Sequence, residues 1–140
     1  SEESRSQVNL ELTNKRLEEL TKITETNQGK KLAPAVNEFK ATVSAAAKGL
    51  KENKKITKEM VEETKKIVKN KQKVESLGVV IDDARELESA IQKIVEREME
   101  NLKERVLTDE QEKLLKEAEA EISEGSYSSA LETIWEISNR

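Results

Sequence analysis

Glu96, Glu100 and Glu104 recur at i, i+4 spacing, as do Glu117 and Glu121, so on helices each set forms a row of carboxylates along one face. Such rows suit a hard cation such as Ca²⁺. They lack the Glu-x-x-His pairs of a ferritin-like di-iron site, because the 140 residues include no His. Asp82 and Asp83 do not open a Ca²⁺-binding EF-hand loop. The plainer reading is solvated helix faces, and the expectation is no metal and no cofactor. Cys is absent as well. No side chain therefore has an ordinary pKa near neutrality for general-base work, and there is no thiolate and no soft metal ligand. Ser and Thr have no His to activate them and are read as caps and turns. The stretch GSYSS (Gly125 to Ser129) lacks the Lys of a phosphate-binding loop. Paired carboxylates can hydrolyse glycosides, but a sugar cleft normally brings aromatic residues, and Phe39, Tyr127 and Trp135 are the only three. The chain reads as a non-enzyme.

The basic counterpart lies earlier. Lys48 to Lys73 holds ten Lys against four Glu. Lys51, Lys54, Lys55, Lys58, Lys65, Lys66 and Lys69 form a candidate face for phosphates or an anionic surface. The segment has no Arg for bidentate phosphate contacts and no aromatic residue for stacking on bases. Nucleic acid is argued against, while a peripheral anionic surface stays as an alternative. Residues 1–78 carry a net charge of +5 and residues 79–140 a net of −9, giving −4 overall. Opposite halves attract, either within one molecule or head-to-tail between copies. Trp135, near the end of the chain, is a further candidate for a partner contact, since Trp is enriched at interface hot spots.

Helices must carry these groups. Charged residues make up 39% of the chain and there are only four Gly and one Pro, a composition suited to a helical bundle with a lean core. The first helix is expected over about Glu2 to Asn27, with Val8, Leu12, Leu17, Leu20 and Ile23 as its stripe, Leu10 beside it and Gly29 as its C-cap. Pro34 opens the second, where Val36, Phe39, Val43, Ala46 and Leu50 form a seam of alternating three- and four-residue steps. Lys51 to Lys55 reads as a turn, although nothing there forbids one continuous helix. The third helix, Thr57 to Ser76, buries Ile56, Met60, Ile67, Val74 and Leu77, widened by Val61 and Val68. After Gly78, Asp82 or Asp83 caps a fourth with Leu87, Ile91, Ile94, Val95, Met99, Leu102 and Val106. Thr108 and Gln111 form a capping box for the fifth, which buries Leu114, Leu115, Ala118 and Ile122 and ends at Gly125. Ser126 or Ser128 caps the sixth, with Ala130, Leu131, Ile134, Trp135 and Ile137. The expectation is one all-α domain: an antiparallel bundle of four longer helices over residues 1–107, and a C-terminal helical hairpin over 108–140 packed on it. No apolar run is long enough to span a membrane.

Ala118, Gly125, Tyr127 and Ala130, followed by Leu131, resemble the helix–turn–helix of a single tetratricopeptide-like repeat. One such unit makes a hairpin, because a solenoid needs about three or more. Together, LELTNKRLEEL (Leu10 to Leu20), LAPAVNEFKATVSAAAKGL (Leu32 to Leu50) and SEGSYSSALETI (Ser123 to Ile134) resemble a domain-of-unknown-function family of small helical, extracytoplasmic proteins common in candidate-phyla bacteria. Spectrin-like septation regulators share the style of the closing hairpin. The family resemblance implies a helical fold and export; it supplies no catalytic residue. The functional expectation is a non-enzymatic helical interaction or structural module, extracytoplasmic, acting through charge-segregated surfaces on a protein partner or a second copy. A small-ligand or hard-cation sensor and an anionic-surface binder are the alternatives.

Overall fold

The computed structural model describes residues 2–53, 55–82 and 84–139. Among them there is no strand, and the helices are α1 (Glu2–Glu25), α2 (Leu32–Glu52), α3 (Lys58–Ser76), α4 (Arg85–Lys103), α5 (Asp109–Ser123) and α6 (Tyr127–Ser138), with a short 3-10 turn at Gly29–Lys31. The chain is an all-α bundle, as the periodicity requires.

Three helices end in the same way. A residue in the left-handed region follows the last turn, and its own N–H and that of the next residue return to the orphan carbonyls. After α3 and α5 that residue is Gly78 (φ 92°) and Gly125 (φ 79°). After α1 it is Asn27 (φ 54°), with the Asn27 N–H donating to Thr24 O and the Gln28 N–H to Ile23 O. The expected C-cap, Gly29, instead begins the 3-10 turn, because the Asn27 side chain tolerates the left-handed conformation. Pro34 is the third residue of α2 and not its first, still within the turn whose N–H groups lack helical partners. Helices α2 and α3 are separate. Asn53 is extended, and the Thr57 hydroxyl caps α3 by accepting from the Met60 N–H at 3.1 Å. The expected capping box of α5 is present, with Thr108 and Gln111 each accepting from the other's backbone N–H. Helix α4 starts after Ala84 with no side-chain cap, so Asp82 does not serve as one; Asp83 lies outside the described residues. Ser126 precedes α6 without a side-chain cap, and Ser128 donates to Thr64 Oγ1 instead.

Among the described residues, five helices close into a ring in the order α1, α2, α4, α6, α3, and α5 packs on α6 alone. Helix α6 occupies the gap between α3 and α4, whose backbones do not pack on one another among those residues. Ser6 meets Gly49, so α1 and α2 are antiparallel. Asn14 meets Glu63 and Glu25 meets Lys73, so α1 and α3 run side by side in one direction. The same holds for α2 and α4, where Ser44 meets Glu86 and Asn53 meets Arg97.

The buried side chains include Phe39, Val43 and Leu50 of α2, Met60 and Val74 of α3, Leu87 and Leu102 of α4, and Leu131, Ile134 and Ile137 of α6. Each such side chain contributes roughly 1.5–3 kcal/mol relative to exposure. Several expected core residues lie elsewhere. Val8 is 51% exposed and Leu12 half-buried, because α1 turns Ser6, Leu10, Thr13, Asn14, Leu17, Leu20 and Thr21 inward. Val68 and Leu77 are exposed while Thr64 takes a core position in α3. Val106 is wholly exposed, since α4 stops at Lys103. Among the described residues, no buried side-chain nitrogen or oxygen lacks a hydrogen-bond partner. This matters because an orphaned polar atom would cost about 1–3 kcal/mol.

Candidate functional site

The lysines of the candidate basic face are not brought into one free surface. Lys65 donates to Glu132 of α6 at 2.8 Å. That hydrogen bond, with the charge of Glu132 and a lesser pull from Glu136, raises the Lys65 pKa above its ordinary value. A raised amine pKa favours folding while the group is charged, so this contribution is present at neutral pH and lost as pH rises through the alkaline range. Lys66 lies 3.6 Å from Glu63. Two lysines outside the candidate set behave similarly: Lys71 bridges α3 to Glu88 of α4 at 2.9 Å, and Lys73 reaches Glu25 of α1. Lys51, Lys55, Lys58 and Lys69 are exposed and have no ion pair among the described residues; Lys54 lies outside them.

The bridges Lys65–Glu132 and Lys71–Glu88 join the basic first half of the chain to the acidic second half. Other charges follow helix polarity. Lys51 and Lys103 sit in the last turns of α2 and α4, while Glu59 and the Asp109, Glu110 and Glu112 group sit in the first turns of α3 and α5. Positive charge near a helix C-terminus and negative charge near an N-terminus are each worth about 0.3–1 kcal/mol.

The acidic row of α4 is exposed and dispersed. Glu96 accepts from Gln92 at 3.0 Å, Glu100 points to solvent, and Glu104 lies just past the last turn. Among the described residues no three acidic side chains converge in a way that could hold a metal ion. Trp135 is half-buried beside Ile56, Thr57 and Glu98, at a hollow of about 440 Å³. A second cleft of about 420 Å³ opens where α3 and α4 splay above the start of α6, between Val68, Ile91 and Tyr127. The Lys71–Glu88 bridge crosses its rim, so the charges there satisfy one another.

Helix α5 differs from the others. Among the described residues every ring helix packs against at least two helices, whereas α5 packs against one. Its expected core residues Leu114, Leu115 and Ile122 are consequently only half-buried, while Ala118, directly facing α6, is fully buried. Gln111 fastens the pair by donating to Ile137 O at 3.2 Å, meeting one of the open carbonyls at the end of α6. Thr133 of α6 donates to Glu121 at 2.6 Å. The outer face carries Asp109, Glu112, Glu117 and Glu119 together with Lys113 and Lys116, all exposed. Sequence periodicity identified the stripe of α5 but not its half-exposure, because periodicity counts apolar positions and is blind to how many neighbours cover them.

The fold is that of an all-α bundle with one edge helix. Comparison of the chain with protein-family models, with curated proteins and with solved structures gives no match to any of them.

Proposed function

We propose that the protein is a non-enzymatic helical interaction module that engages another protein chain through its surface. The observation that supports this reading is α5, which has one helical neighbour among the described residues, an incompletely covered apolar stripe and an outer face with more carboxylates than lysines. A stripe that one neighbour leaves half-covered, with charge at its edges, has the character of an interaction surface. The clefts offer no set of converging groups for catalysis. The cleft above α6 holds a lysine already paired with a carboxylate, and the hollow at Trp135 holds one lysine and one glutamate beside hydroxyls and an amide. An extracytoplasmic place of action belongs to the same proposal, on the family resemblance alone.

Self-association is the second reading, and the net charges of +5 and −9 on the two halves favour it. The intramolecular bridges of Lys65 and Lys71 use up part of that complementarity, which is why a different chain is preferred as partner. Light scattering on a size-exclusion column at low and high salt tests the choice. The expected result is a particle of 15.9 kDa at both salts. An oligomer that dissociates as salt is raised would overturn it and make the two halves of the chain each other's partners.

A further inference from the structure

One edge of α5 is built for a particular kind of partner. Glu112, Leu115, Glu119 and Ile122 follow one another at steps of three and four, so they form a single row along the helix. Leu115 and Ile122 are partly buried against the core, and Glu112 and Glu119 are exposed on either side of Lys116 with no ion pair among the described residues. The opposite edge is more committed, since Glu121 there already accepts from Thr133. The chosen row alternates an apolar knob with a carboxylate, once per turn. A partner matching it must alternate apolar and cationic groups at the same rise, which is the pattern of a basic amphipathic helix.

Resting on the interaction-module reading, we infer that the Glu112–Leu115–Glu119–Ile122 edge of α5 docks a basic amphipathic helix of another protein. Its Leu or Ile side chains would complete the cover over Leu115 and Ile122, and its Lys or Arg side chains would face Glu112 and Glu119. The Lys-rich helix of a second copy does not meet this requirement. The apolar face of α3 (Met60, Val61, Ile67 and Val74) is buried in the ring, so α3 cannot present it without unfolding.

The test uses the full chain and a synthetic peptide with Leu on one helical face and Lys on the other, followed by NMR of the isotope-labelled protein. The expected result is that amide signals shift along α5 and the adjoining turns. Glu112→Lys with Glu119→Lys should weaken binding by about tenfold or more, which is about 1.4 kcal/mol. The same reversal at Glu96 and Glu100 of α4 should have little effect, whereas replacing the Lys of the peptide by Glu should restore binding to the protein carrying the α5 reversal. The spectrum of each variant alone verifies that it is folded. If the α4 reversal weakens binding as much as the α5 reversal, or if the shifts centre away from α5, the assignment is overturned while the module reading stands. The module reading itself fails on the separate observation of a salt-sensitive oligomer.

Discussion

Helices α1 and α4 hold equivalent places in the ring, each between two neighbours, yet different physics holds them. The buried face of α4 is wholly apolar: Leu87, Ala90, Ile91, Ile94, Val95, Met99 and Leu102. The buried face of α1 alternates Leu10, Leu17 and Leu20 with Ser6, Thr13, Asn14 and Thr21. Asn14 is 4% exposed and spans to α3, donating to both the carbonyl and the carboxylate of Glu63 and accepting from Asn70 at 2.9 Å. Ser6 spans to α2 by donating to Gly49 O. An apolar seam gains from burial in many registers, whereas a hydrogen-bonded one is satisfied in few. Helix α4 thus contributes cohesion and α1 contributes register, the role a single buried Asn plays in coiled coils.

The largest effect is expected at α4. Leu87→Ala leaves a cavity beneath a fully buried position and should destabilise the fold by about 2–5 kcal/mol, read from the urea midpoint. A loss under about 1 kcal/mol would mean that α4 is not the cohesive side of the ring. At α1 the sharper test is polar. Asn14→Ala strands the partners of that side chain and should cost about 1–3 kcal/mol. Val8→Ser, an apolar-to-polar change at an exposed site of the same helix, should stay within about 0.5 kcal/mol. If Val8→Ser costs more than Asn14→Ala, the assigned face of α1 is wrong.

The smallest expected effect concerns the bridge that ties α3 to α6. The Lys65 pKa is raised, so its stabilising contribution belongs to the charged amine. Any stability gap between the natural chain and Lys65→Met should therefore be seen at neutral pH and close as pH climbs through the alkaline range. A gap that persists there would show that the aliphatic stem of Lys65, and not its charge, holds α6. The pair is partly exposed, so the gap itself is small.

Where burial alone decided the outcome, the residues could be read directly. The seam of α2 and the stripe of α4 as far as Leu102 are apolar at helical spacing and are buried, apart from half-buried Val36. The Thr108–Gln111 capping box was equally legible, because both partners lie within one turn. In α1 the reading went astray. Val8 and Leu12 looked like core because they are apolar, and polar Asn14 was not counted in the stripe. Asn14 can be buried only because Glu63 and Asn70, 49 and 56 residues further on, complete its hydrogen bonds. Lys65 was set apart from the other candidate lysines for the same reason. Glu132, which takes Lys65 out of the free surface, is 67 residues away.

The sequence by itself therefore determined what short-range physics controls: the helices, the Thr108–Gln111 cap, the stops at Gly78 and Gly125, and the absence of His and Cys chemistry. Only the tertiary structure decided that α6 sits between α3 and α4, that α1 is registered by Asn14, and that α5 keeps an open edge. Helical periodicity says that a face must be covered; which helix covers it, and how completely, is settled by packing among segments far apart in the chain.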